Sequence, residues 1–260
     1  MSPARAAFVV SCIAAFAAGA EAAPLGTQGY TMYASTFDPA GGFEYVRLIP
    51  DNARLGHLDH ALLSGFFYRG DYSKEYALDD EATLVTVDTG TAAVTPIGST
   101  FFSDWTHLSI AVDSSDLAYA LVAETPCDET LLYAVDLNSG VTALIGTATG
   151  CLEAGMFAAD GTYYAIDSAS SSLVDVANGA IGALGFAVGG DATLFRIAGG
   201  PTIYLVATDV NTQTMNLYDI DTATGLATLI APFSTTPGAY TGIAIGPALP
   251  DDVFGDGFDG

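Results

Sequence analysis

Positive charge is what this chain has least of. Six lysines and arginines stand against thirty aspartates and glutamates, a net charge of −24. A surface of that sign repels nucleic-acid phosphate and anionic lipid, so both are excluded as partners, while cations or a basic partner are favoured. Helical periodicity is also missing after the first two dozen residues, which leaves little room for α structure. No run of 18 apolar residues occurs anywhere, so a transmembrane helix is not expected. There is no G-x-S-x-G nucleophile elbow and no C-x-x-C pair, and the glycine pairs Gly41-Gly42, Gly189-Gly190 and Gly199-Gly200 precede no helix. They read as hairpin turns, not as phosphate cradles.

What is present begins with the N-terminus. Arg5 precedes an apolar run from Ala6 to Ala18, and the small-residue stretch Ala18-Gly19-Ala20-Glu21-Ala22-Ala23 follows. That is the pattern of a cleaved secretory signal, predicted over residues 1–23, with residues 24–248 as one domain and 249–260 as an acidic tail. Cleavage removes Arg5 and Glu21, one charge of each sign, so the acidity belongs to the mature, exported chain. Cys12 leaves with the signal. Cys127 and Cys151 remain as an even pair in an oxidising compartment, and they flank one hairpin-like stretch, so a disulfide across its open end is expected. Two thiols alone are too few for a structural zinc site.

The organising feature is a repeat. Leu131–Gly146 (LLYAVDLNSGVTALIG) has close copies at Leu84–Gly98 (LVTVDTGTAAVTPIG) and Leu217–Ala231 (LYDIDTATGLATLIA). Each places an Asp before a turn (Asp88, Asp136, Asp221) and an Ile nine residues later (Ile97, Ile145, Ile230). The turns at Asp136 and Asp221 suit a type I turn in which Asp caps backbone N–H groups and Gly takes the left-handed position. A degenerate copy at 173–185 has its turn shortened to Asn178-Gly179. Before each hairpin come a short apolar strand and a Tyr-bearing strand, as in Leu108–Val112 leading to Tyr119-Ala120-Leu121. Each unit is thus four short strands. The strands are apolar on both faces, so one unit alone is unstable and needs a neighbour on either side, which radial repetition supplies.

Four units span about 61–98, 105–146, 153–185 and 191–231. The last strand, from Tyr240, lacks a hairpin after it, and 29–49 lacks a first strand before it. Together they complete a fifth unit. The predicted fold is all-β: a β-propeller of five blades of four antiparallel strands, closed by N- and C-terminal strands sharing a blade. A β-sandwich is the structural alternative.

The LYxxDxxTG…IG hairpin resembles those of bacterial propeller-repeat proteins of the YVTN, NHL and quinoprotein-like group, over about residues 29–247. The resemblance implies the architecture only. That group includes lyases, lactonases, sugar-active enzymes and binding scaffolds, and no family active-site motif matches here. The tail Asp251–Gly260 resembles the IFxDGFE-type ending of assorted secreted proteins of Gram-negative bacteria.

Propellers bind at one mouth of the channel, near the ends of the innermost strands, so the residues just before each first strand are the place to look. That position selects His107, Glu153, Asp191 and Tyr240 as ligand-binding candidates, with His60 and Trp105 close by. No catalytic residue is assigned. His57-x-x-His60, read as lying in a loop, does not present both rings on one face, so no metal site is expected from it. No cofactor is expected either, calcium at the acidic tail being the alternative weighed, although the tail lacks a complete calcium loop. The expectation is a secreted monomer, periplasmic or extracellular, that binds a protein or carbohydrate ligand. The alternative is a carbohydrate-active hydrolase or lyase using Glu153 and Asp191 at the channel mouth.

Overall fold

The computed structural model describes residues 30–38, 42–49, 53–68, 71–102, 105–196, 202–234 and 240–247. The proposed signal, the tail and Gly199-Gly200 lie outside them. Among the described residues there are strands, turns and no helix, and so none long and apolar enough to cross a membrane.

Twenty strands form five separate four-stranded antiparallel sheets, the blades of a β-propeller. Blade I holds β1 (Tyr30–Asp38), β2 (Gly42–Ile49) and β3 (Ala53–Leu58). Blade II is β4 (Leu62–Tyr68), β5 (Asp71–Asp79), β6 (Thr83–Asp88) and β7 (Val94–Ser99). Blade III is β8 (Trp105–Val112), β9 (Ala118–Glu124), β10 (Glu129–Val135) and β11 (Thr142–Thr149). Blade IV is β12 (Leu152–Phe157), β13 (Tyr163–Asp167), β14 (Ser172–Asp175) and β15 (Gly179–Ala183). Blade V is β16 (Val188–Arg196), β17 (Ile203–Asp209), β18 (Thr214–Ile220) and β19 (Ala227–Ser234). The last strand, β20 (Tyr240–Pro247), returns to pair with β1, from Tyr30 opposite Pro247 to Thr36 opposite Tyr240. Chain ends sharing blade I close the ring and remove its open edge. The innermost strands β20, β4, β8, β12 and β16 touch one another in turn around the centre.

The two-sided greasiness of the strands is resolved by five cores, one per blade interface. Strand alternation sends neighbouring residues to opposite interfaces. On β1, Tyr33 packs with blade II while Met32 and Ala34 pack with blade V. On β9, Leu121 faces blade IV while Ala120 and Val122 face blade II. On β17, Val206 faces blade I while Leu205 and Ala207 face blade IV.

Two of these cores are reinforced at the repeat's own turns. At Asp136, Oδ1 accepts from Asn138 N (2.9 Å), Oδ2 from Ser139 Oγ (2.7 Å), and Gly140 adopts φ +74°. Asp221 repeats this with Ala223 N (2.9 Å), Thr224 Oγ1 (2.7 Å) and Gly225 at φ +79°. These turns dock on the neighbouring blade. The Ser139 carbonyl lies so close over Gly98 of β7 that a methyl group there would overlap it, and the Thr224 carbonyl covers Gly182 of β15 in the same way. The glycine of the repeated Ile-Gly is therefore a seat for the next blade's turn. Gly146 of β11 is the exception: nothing comes within 4 Å of a methyl group placed there. Blade IV has the shortened turn, and it does not reach.

Three readings need correction. His57 lies on β3, the fourth strand of blade I, and not in a loop; β3 hides from pattern reading because it is short and carries Arg54, Gly56 and His57. Gly189-Gly190 lies inside β16, where a register shift between Gly189 and Thr193 absorbs it, and not in a hairpin turn. His107, Glu153, Asp191 and Tyr240 stand within the inner strands, not just before them.

Candidate functional site

Antiparallel alternation decides which segments share an end of the ring. The start of each inner strand, the turn from second to third strand, and the link from one blade to the next all fall at the same end. Segments far apart in sequence meet there: His107 near the start of β8, Cys127 between β9 and β10, Cys151 in the link to β12, Glu153 on β12, and Ser168 after β13.

At the seam of blades III and IV the structure brings His107 and Glu153 into contact, Nδ1 to Oε2 at 2.9 Å. The Glu153 side chain is 6% exposed and that of His107 21%, so the pair is held largely out of water. A carboxylate on Nδ1 fixes the proton on that nitrogen and leaves Nε2 as the basic one. Ser168 Oγ lies 3.4 Å from Nε2. Glu153 Oε1 is buried without a hydrogen-bond partner. One carboxylate oxygen is thus committed and the other is not, in a place where an unmade hydrogen bond is costly.

The surroundings are rigid. Cys127 and Cys151 form the expected disulfide, with Cα atoms 4.8 Å apart, across the open end of the β10–β11 hairpin. Cys151 N donates to Asp167 Oδ1 (3.1 Å), its carbonyl accepts from Ser168 Oγ (3.1 Å), and Leu152 N donates to the buried Thr130 Oγ1 (2.9 Å). Closing a loop with 24 residues of separation restricts the unfolded chain by about 3 kcal/mol. Replacing both cysteines by serine should lower the melting temperature accordingly, read by thermal unfolding; an unchanged melting temperature would deny the bridge this role.

Of the remaining candidates, His60, Trp105 and Tyr240 have described partners elsewhere. His60 pairs with Asp80, Nδ1 to Oδ1 at 2.9 Å. Burial works against its charge, but the hydrogen bond to Asp80 and the charges of Asp80, Glu81 and Asp79 outweigh it and raise its pKa. Trp105 packs against the core between blades II and III, and Tyr240 against the core between blades I and V. Asp191 is on β16, but its side chain lies outside the described residues, so its distance to Glu153 is not part of this geometry.

One group escaped sequence reasoning altogether. Glu75 on β5 is fully buried between blades I and II, and Tyr45 Oη donates to its Oε2 at 2.6 Å. Its other oxygen has no partner and occupies the space left by Gly65, where a methyl group would overlap it. Burial pushes the Glu75 carboxyl up to about 8, against the opposing pull of the Tyr45 hydrogen bond. The signal was available: Glu75 shares its strand face with Ala77, a core residue.

No protein-family model matches the chain, and no curated protein matches it significantly. Its structure is similar to solved ones. A protein of unknown function from Bacteroides thetaiotaomicron gives a TM-score of 0.51 at 12% identity, covering 86% of this chain and 65% of that one. A chain of a nidogen/laminin complex gives 0.50 at 12%, covering 85% and 100%. A protein of unknown function from Bacteroides caccae gives 0.49 at 13%, covering 84% and 88%. At such identities the likeness is one of fold alone, the β-propeller.

Proposed function

We propose that the protein is a secreted propeller module that binds a neutral carbohydrate or a basic protein segment at the channel end where the inner strands begin. The supporting observation is the His107–Glu153 pair, buried, rigidly held, and carrying an uncommitted carboxylate oxygen. A sugar hydroxyl or a ligand N–H meets the partly exposed His107 ring, which the buried carboxylate holds in place. The net charge of −24 repels anionic ligands from the same mouth. Export is supported by the signal pattern at 1–23 and by the disulfide.

The test is a thermal-shift screen of the mature protein against neutral oligosaccharides and basic peptides. A ligand of the folded state at 100 times its Kd adds about 2.7 kcal/mol. The expected result is a shift in the native protein that His107→Ala and Glu153→Gln each remove. A shift that both variants retain, or no shift with any ligand, overturns the reading.

A second reading is a carbohydrate-active hydrolase or lyase, favoured by one feature: a buried carboxylate on an imidazole is an acid–base pair. Turnover of a bound oligosaccharide, lost in Glu153→Gln, distinguishes it from simple binding.

A further inference from the structure

The disulfide and the imidazole of His107 are not merely neighbours. The two sulfurs and a ring nitrogen of His107 all lie within 4.8 Å of one another. Cys127 is partly exposed and holds a left-handed backbone at φ +67°, whereas Cys151 is 4% exposed. Glu153 grips Nδ1 of the same ring, and Ser168 Oγ lies 3.4 Å from Nε2, a contact that a metal ion on Nε2 would replace. A carboxylate on one ring nitrogen with the other turned to a metal is the arrangement that orients histidine ligands and raises their basicity.

We propose that the reduced form of this protein is a binding site for one thiophilic metal ion, Zn²⁺ or Cu⁺, held by Cys127, Cys151 and Nε2 of His107, with Glu153 as the positioning residue behind the imidazole. Two thiolates and an imidazole form a soft donor set that suits these ions, and a fourth position stays open to water or a ligand. The site is closed in the oxidised protein, because a disulfide has no thiolate to offer. Metal occupancy and the disulfide therefore exclude each other.

The balance is simple. A thiolate of a small dithiol reductant attacks the accessible Cys127 sulfur, the Cys127–Cys151 bond breaks, and Cys151 leaves as a thiolate. The second thiol of the reductant resolves the mixed disulfide. Two electrons pass to the protein and the reductant ends as its own disulfide. Binding of a divalent ion then releases the remaining thiol protons to solvent.

Proximity across the fold makes this site, not sequence spacing. Cys127 and Cys151 lie 24 apart and His107 comes from the preceding inner strand, so no metal motif is legible in the chain.

The experiment reduces the full mature protein with a phosphine, removes the phosphine anaerobically, and titrates with Co²⁺ as the spectroscopic probe. The expected result is a thiolate-to-cobalt charge-transfer band saturating at one equivalent, displaced by Zn²⁺ and absent from the oxidised protein. His107→Ala should weaken binding at least about ten-fold and alter the visible ligand-field bands, because one first-sphere nitrogen is gone. Glu153→Gln should keep those bands while weakening affinity about ten-fold, which separates a positioning role from a structural one. Far-UV circular dichroism checks the fold throughout. Should the reduced chain unfold without metal, Zn²⁺ must restore its strand signal. The proposal is overturned by an absent charge-transfer band, by a His107→Ala variant with native affinity and spectrum, or by failure of Zn²⁺ to restore an unfolded reduced chain.

Discussion

Replacing Glu75 by Gln should flatten the protein's stability against pH and make it more stable above pH 8. The native carboxyl lies fully buried at the interface of blades I and II, where burial raises it from 4.5 to about 8. Below 4.5 folded and unfolded chains both hold the proton and the group is silent. Between 4.5 and about 8 the unfolded chain releases the proton and the folded chain keeps it, so stability declines as pH rises. Above about 8 both are ionised and the loss is complete, amounting to ~5 kcal/mol at about 1.4 kcal/mol per pH unit. That is comparable to the whole stability of many domains. Glutamine keeps the acceptor for Tyr45 Oη without an ionisable proton. Urea midpoints measured from pH 5 to pH 9 should fall steadily for the native protein and stay level for Glu75→Gln. Parallel curves for the two proteins would sink this account.

The turn aspartates act in the opposite sense. Hydrogen bonds from Ser139, Asn138, Thr224 and Ala223 hold Asp136 and Asp221 below the usual value of 3.8. Their contribution is present above 3.8 and lost as pH falls through the lowered values. The native protein should therefore be most stable in weakly acidic solution.

Alanine at Gly98 or Gly182 should cost about 3 kcal/mol each, while alanine at Gly146 should cost nothing. The three glycines are alike in sequence, each following an isoleucine on the fourth strand of its blade, and none has a positive φ, so backbone freedom does not distinguish them. The difference is what lies above. A methyl group on Gly98 or Gly182 meets a backbone carbonyl of the next blade's turn, which cannot rotate aside, and overpacking of that kind costs ~1–3 kcal/mol or more. A methyl group on Gly146 meets open space, and Gly→Ala in a strand gains about 0.5–1 kcal/mol from reduced freedom of the unfolded chain. Urea unfolding with an unchanged m-value is the measurement. Equal losses at all three positions would show that the seats play no part.

The order of strands, the five-fold count and the closing pair of termini were legible because each blade is built locally. A hairpin needs only its own turn residues, and a sheet apolar on both faces demands neighbours. The disulfide was legible for the same reason, since Cys127 and Cys151 bracket a hairpin whose ends must meet. The strand β3 was not, because Arg54, Gly56 and His57 break its alternation. Nor was the purpose of the repeated glycine, because a glycine reads alike whether it seats a neighbour's carbonyl or faces solvent.

What the amino-acid sequence determined by itself, then, is everything that depends on residues close together in the chain: turn caps, hairpins, the repeat, and the need for a ring. What only the tertiary structure decided is which distant side chains share one small volume. His107 and Glu153 are 46 apart, and their contact depends on how two inner strands stagger across the channel. The same holds for Tyr45 and Glu75, which meet because blades I and II pack face to face and Gly65 leaves room for a carboxyl. Local pattern fixes a strand's faces, but the shift of one blade against the next is set by the packing of side chains from both, and that is written in no single stretch of the chain.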